Sequence, residues 1–216
     1  MKVTKEKAAE NRAALVQAAS RLFRERGIDG VGVAEISKKA GLTHGALYAQ
    51  FPSKEALAAE AFASALKPGF ERMTADRNGR PPTLTDYLDD YLSFDHRDNL
   101  AAGCPMSASA SEVARQDKVV GERFMEGFEE LAALMEHELG ASPVKAENRQ
   151  RALAMMAAMI GGVAASRAVA KANPTLSNQI LLAVRRIVGE VGGEERYVDG
   201  ARGRARATKK RARRTR

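Results

Sequence analysis

Leu84, Tyr87, Leu88, Tyr91 and Leu92 stand at i, i+3, i+4, i+7 and i+8, a spacing that puts them on one face of an α-helix and scatters them over both faces of a strand. Almost the whole chain repeats this period. Leu15, Ala19, Leu22 and Phe23 form a first stripe, closed by Gly27. Val33, Ile36 and Ala40 mark a short second helix, and Leu47 with Phe51 a third beginning at Thr43. Ser53 suits the N-cap of a fourth helix, whose positive end favours Glu55. RNGRPP at 77–82 reads as a turn, and Asp86, Asp89 and Asp90 as the solvated face outside the 84–92 stripe. Further helices are expected at about 105–115 and 118–139, the latter turning Val120, Phe124, Phe128, Leu131, Met135 and Leu139 inward. Ser142 and Pro143 cap and start a long helix to 172, stopped by Asn173 and Pro174. Thr175 opens the last, with Ile180, Val184, Ile187 and Val191 on one face and Gly192 and Gly193 at its end. No segment alternates as a strand does, so the fold class is all-α, with about nine helices.

Charge is distributed unevenly. The formal +8 comes from the end: residues 202–216 hold nine Lys or Arg and no acid, leaving 26 basic against 27 acidic groups before them. Residues 1–54 carry ten basic and five acidic side chains, whereas 55–201 carry 16 and 22. The amino end therefore favours a polyanion and the acidic remainder does not. A single cysteine, Cys104, excludes an intrachain disulfide and a thiolate zinc site, and His44, His96 and His137 lack metal-site spacing. No cofactor, metal or catalytic group is expected. GIDGVGVAEI has Glu35 where a dinucleotide fingerprint needs its third glycine, and no strand precedes it. No uninterrupted apolar run approaches the roughly 18 residues of a membrane span, and the N-terminus lacks an apolar signal core, which predicts a cytoplasmic protein without a membrane partner.

The stretch GLTHGALYAQFPSKEAL at 41–57 carries the chemistry. Gly41 can end one short helix in the left-handed conformation and Leu42 can fill the angle between two, the local form of a helix-turn-helix. Thr43 becomes the N-cap of the second helix and offers a hydroxyl and free amides to a phosphate. His44 and Tyr48 share a face, and Gly45 costs about 1 kcal/mol inside a helix relative to Ala, a sensible cost where another backbone must approach. Tyr48 and Lys54 would hold phosphates, while Thr43, His44 and Ala49 reach base edges of double-stranded DNA.

Residues 12–57, with "LF...G", "V.EI...AG", "T.G.LY..F" and "SKE.L" in order, resemble the DNA-binding module of TetR-type transcriptional regulators. The resemblance implies a three-helix reader over 1–54 with its recognition helix at 44–50 and a helical ligand-binding and dimerisation domain over 55–200; the low-complexity composition of 201–216 reads as a basic disordered tail. It assigns Thr43, His44, Gly45, Tyr48 and Lys54 to the DNA surface. It also implies a ligand-responsive regulator, most simply a repressor, acting as a homodimer on a palindrome through its last two helices. Two readers would then meet major grooves roughly 34–36 Å apart. One departure is Val31, Gly32 and Val33, where the family has a hydroxyl before its second helix.

The same resemblance implies a cavity for a small-molecule effector. Phe62, Leu66, Phe70, Tyr87, Tyr91, Cys104, Met106, Phe124, Phe128, Met156 and Met159 are the candidate walls, with Met73, Phe94 and Met155 beside them; each either lines it or fills core. The lack of a basic cluster among them points to a neutral or hydrophobic effector. Cys104, just before Pro105, is either a sensor of electrophiles or oxidants at a helix start, or a small buried hydrophobe. A sub-branch of the family is similar here, with "GC" before this helix and a glutamate placed like Glu112. Pro68 is expected to kink or break the fourth helix, as a hinge or a fixed bend. Gly161 and Gly162 suit close approach at a dimer face or within the chain. The tail adds salt-sensitive DNA affinity, binds RNA or solubilises; were it dominant, the protein would be an architectural, sequence-indifferent DNA binder.

Overall fold

A computed structural model describes residues 4–77, 79–140 and 145–193. Within them the chain forms ten α-helices and no strand: α1 (Lys5–Arg26), α2 (Val33–Lys39), α3 (His44–Tyr48), α4 (Lys54–Thr74), α5 (Leu84–Tyr91), α6 (Phe94–Asp98), α7 (Pro105–Val113), α8 (Lys118–Glu138), α9 (Lys145–Ala170) and α10 (Pro174–Gly192). A 3₁₀ turn, Leu100–Ala102, joins α6 to α7. The expected cap at Ser142 and Pro143, Asn78 of the 77–82 turn, and the tail lie outside the described residues.

Caps place the helix starts. The Thr4 hydroxyl accepts from the Lys7 amide, and Ser53 from the Ala56 amide at 3.1 Å, as expected for α4. Thr83 and Asp86 form a reciprocal capping box on α5. Asn173 and Pro174 belong to α10 as its N-cap and first residue rather than to the end of α9. α4 continues through Pro68 to Thr74 without a break, although the ring removes one backbone donor.

Two hydrophobic clusters meet along α4. The first joins α1, α2 and α3 through Leu15, Leu22, Phe23, Ile36 and Leu47 to Leu57, Ala58 and Ala61 of α4, and takes in Val120 from the start of α8. The second begins one residue later on α4, at Phe62 and Leu66, and fills the space among α5, α7, α8, α9 and α10. The 84–92 stripe is buried as its period predicts. The aspartates beside it are not merely solvated: Asp86 pairs with Arg80, Asp90 with Arg77, and Asp89 accepts from buried Arg185 at 2.8 Å. The bidentate Arg80 contact and the Thr83 bonds hold the Asp86 carboxyl far below its usual range.

The two long C-terminal helices form an antiparallel hairpin. A side chain at Gly162 would meet Val184 of α10 at 2.8 Å, so packing within the chain accounts for this glycine, whereas nothing stands within 4 Å of Gly161. α9 is apolar enough over Glu147–Ala170 to cross a membrane by length and composition, with 44% of that window buried. The uninterrupted-run criterion missed it because Arg, Ser and Gly punctuate the stretch. Its outward residues include Ala157, Ala158, Gly161 and Ala165.

Candidate nucleic-acid interface

The turn between α2 and α3 sets everything that α3 presents. Gly41 has φ +71°, and the amides of Gly41 and Leu42 donate to the Lys38 and Ser37 carbonyls at 3.1 and 2.9 Å. This paired closure requires the left-handed conformation that glycine adopts without a Cβ clash. Leu42 packs partly buried against the first core. α3 is then fastened by one fully buried side chain, Leu47.

Apart from half-buried Ala46, the rest of this short helix faces out. Thr43 is the N-cap, yet its side chain makes no capping hydrogen bond, so the hydroxyl stays available to a partner. His44, Gly45 and Ala49 are exposed and Lys54 is half-buried. Tyr48 is 51% exposed, with the His44 ring against it edge to face at 5.3 Å. Nothing lies within 4 Å of a Cβ built on Gly45, so no contact inside the chain calls for that glycine. The helix ends at Tyr48, with Ala49 as C-cap; the expected 44–50 was too long because the Phe51 ring must turn into the core. Gly32 caps α2 without a side-chain bond, in keeping with the missing hydroxyl.

Two supports were not visible in the sequence. Arg12, counted there among the groups that favour DNA, turns inward: Nη1 donates to the Gln50 carbonyl at 2.6 Å, Nε to Glu60 at 3.1 Å, and the guanidinium sits 4.1 Å from the Phe51 ring centroid. It thereby clamps the exit of α3. At the opposite side of the reader, the Asp29 amide donates to Glu112 at 2.8 Å, and Gln116 Nε2 donates to the Asp29 carboxylate at 2.9 Å. These two side chains, at and just past the end of α7, clasp the α1–α2 turn.

The other end of α7 starts at Cys104, which is 7% exposed. The Cys104 amide donates to His96 Nε2 at 3.0 Å, so that nitrogen carries no proton and Nδ1–H faces the Tyr91 carbonyl. Burial pushes the His96 pKa down to about 4 despite that carbonyl, with Arg167 and Arg72 adding to the effect. Burial raises the Tyr91 phenol well above its usual range, with Cys104 and Tyr87 beside it adding to the effect. Arg167 links the same corner, donating to the Arg97 and His96 carbonyls and to Ser107.

Among the candidate wall residues, Phe62, Leu66, Tyr87, Tyr91, Cys104, Met106, Met156 and Met159 are buried in one cluster, against which Phe70, Phe124 and Phe128 pack half-buried. Phe94 stands apart, 42% exposed under the Arg97 guanidinium. Two small voids border the cluster. One, about 10 Å³, touches Leu66, Tyr87, Tyr91 and Cys104; the other, about 20 Å³, touches Phe23, Phe62 and Pro105. Each has room for about one water, so a small molecule entering either void must displace core side chains.

Residues 15–61 match the family model described as bacterial regulatory proteins, tetR family. The HTH-type transcriptional regulator LmrA of Bacillus subtilis (strain 168) is 27% identical over 174 residues, 77% of this chain and 92% of the relative. TtgR of Pseudomonas putida, also an HTH-type transcriptional regulator, is 44% identical over 54 residues, about a quarter of each protein. Among solved structures, the reduced form of E. coli NemR aligns with TM-score 0.64 at 21% identity, over 83% of this chain and 95% of that one. A TetR regulator from Chloroflexus aurantiacus aligns with TM-score 0.66 at 21% identity, over 88% and 98%.

Proposed function

We propose that this chain is a DNA-binding transcriptional regulator of the tetR family rather than an enzyme, and that it is a homodimeric repressor of a palindromic operator, released by a small hydrophobic or electrophilic effector. In this reading residues 1–54 read DNA in the cytoplasm, 55–200 bind effector and dimerise, and 201–216 add non-specific affinity. The observation that carries it is the outward face of α3, where Thr43, His44, Gly45 and Tyr48 stand together without any role in the chain's own packing beyond the His44–Tyr48 ring contact. Tyr48 and Lys54 supply phosphate contacts, Thr43 offers its hydroxyl to a phosphate or a base edge, and His44 and Ala49 meet base edges.

The dimer is supported by the outward side of the α9–α10 hairpin. There the small residues of α9 lie beside exposed Leu182 and Ile187 of α10, a face that a second copy covers more economically than solvent does. The electrophile reading rests on Cys104. Addition to its sulfur, with loss of the thiol proton, places new atoms where about 10 Å³ is free. α7 must shift in response, and its far end holds the reader through Glu112 and Gln116.

Footprinting on fragments from the chain's own promoter region tests the proposal. One fragment should show a discrete, twofold-symmetric protected site that survives removal of residues 201–216. Sequence-indifferent coating that disappears with the tail would replace this reading with an architectural one. An alkylating agent should release the wild type and spare a Cys104→Ser variant; identical release would remove the thiol from the mechanism.

A further inference from the structure

A wide concavity lies outside the second core. It is an open groove of about 1110 Å³ lined by α1 and α4, with Lys39 of α2 and Asn99 and Ala102 also in its lining. Ligand sites are commonly about 300–1,000 Å³, so the groove can take a whole small molecule without repacking. Its floor is largely alanine, and its walls carry Arg21, Arg24, Lys39 and Lys67 against one acid, Glu60. Glu60 is already paired with Arg12, and Arg21 with Glu25. Among the described residues neither Lys39 nor Lys67 has an ion-pair partner. Among the described residues Nε of Arg24 has no acceptor, an arrangement that costs free energy. Burial lowers the Arg24 pKa, although nearby Glu25 opposes the shift.

We propose that the α1–α4 groove is a binding site for an acidic amphiphile, an organic carboxylate or sulfonate whose charged end meets Arg24, Lys39 and Lys67 and whose apolar body lies on the alanine floor. This differs from the neutral effector expected from the wall residues of the second core. It extends the proposed regulation: the groove's walls come from the reader (α1, α2) and from the body (α4 and the 3₁₀ turn), so an occupant touches both. Only that regulatory consequence rests on the repressor reading; the site itself does not.

The test is a fluorescence titration of the full chain without DNA, so its failure is separable from failure of the operator experiment. The probes are 1-anilinonaphthalene-8-sulfonate and its neutral counterpart N-phenyl-1-naphthylamine. Lys39→Glu/Lys67→Glu changes two exposed side chains and should leave the thermal melt intact; Arg24→Gln tests the enclosed donor. The sulfonate should bind wild type and weaken at least about tenfold in both variants, because charge-assisted contacts are lost, while the neutral probe is unaffected. Equal sulfonate affinity in wild type and the lysine variant, or equal weakening of both probes, would overturn the site.

Discussion

The two cores are built from different materials. The reader's cluster contains aliphatic residues, alanines and two phenylalanines, and no methionine, tyrosine or cysteine. The body's cluster contains Met73, Met106, Met135, Met155, Met156 and Met159 with Tyr87, Tyr91 and Cys104. Thioethers repack around new shapes, whereas branched aliphatic side chains hold one arrangement. On the proposed function, a surface presenting Thr43 and Tyr48 at fixed spacing needs the second property, and a ligand-responsive domain needs the first. They meet along α4, at Val113, Val119 and Val120, where α1 packs on the 3₁₀ turn and α7, and at the clasp of Glu112 and Gln116 on Asp29.

The sharpest way to break this contrast is to shorten one side chain in each core. Leu47→Ala should destabilise the reader by about 2–5 kcal/mol in denaturant titrations and abolish operator binding, because α3 has no other fully buried anchor. Next comes pH. The His96 pKa is about 4 in the native state against an ordinary 6.5, so between these values the unfolded chain takes up a proton that the native one refuses. Stability should therefore fall as pH drops from 6.5 to 4, by about 3 kcal/mol at the limit. Thermal melts should show it, and His96→Gln should flatten the slope over that interval.

Glu112→Gln keeps the shape of the clasp and removes its charge, and should cost about 1–2 kcal/mol. Its more telling readout is partial uncoupling, seen as a reduced effect of Cys104 alkylation on operator release. Met159→Leu in the body should be smallest, under about 1.5 kcal/mol, with operator affinity unchanged. A Met159→Leu penalty as large as that of Leu47→Ala would erase the distinction between the cores.

Features that depend on one helix and its turn were legible in the sequence. Gly41 at positive φ, Ser53 as a cap, the buried 84–92 stripe and the outward Tyr48 all follow from local spacing and backbone preference. What was not legible depends on a partner elsewhere. Arg12 reads as surface charge until Gln50 and Glu60 are brought beside it, and Asp89 reads as solvated until Arg185, 96 residues on, turns toward it. Glu112 reaches Asp29 across 83 residues. α6 and the 3₁₀ turn escaped for another reason: five and three residues do not complete an amphipathic period, so only the Ser93 and Asn99 caps mark them. The candidate cavity walls were identifiable as apolar, but whether such side chains enclose space or fill it is decided by packing between helices.

The central claim is that the outward face of α3 contacts DNA and contributes nothing to folding. Operator affinity by mobility shift at moderate ionic strength, with a thermal melt on the same sample, tests it in a Thr43→Ala/Tyr48→Ala variant of the full chain. Affinity should fall at least about tenfold while stability stays within about 0.5 kcal/mol of wild type. Undiminished operator binding by a fully folded variant would contradict the claim.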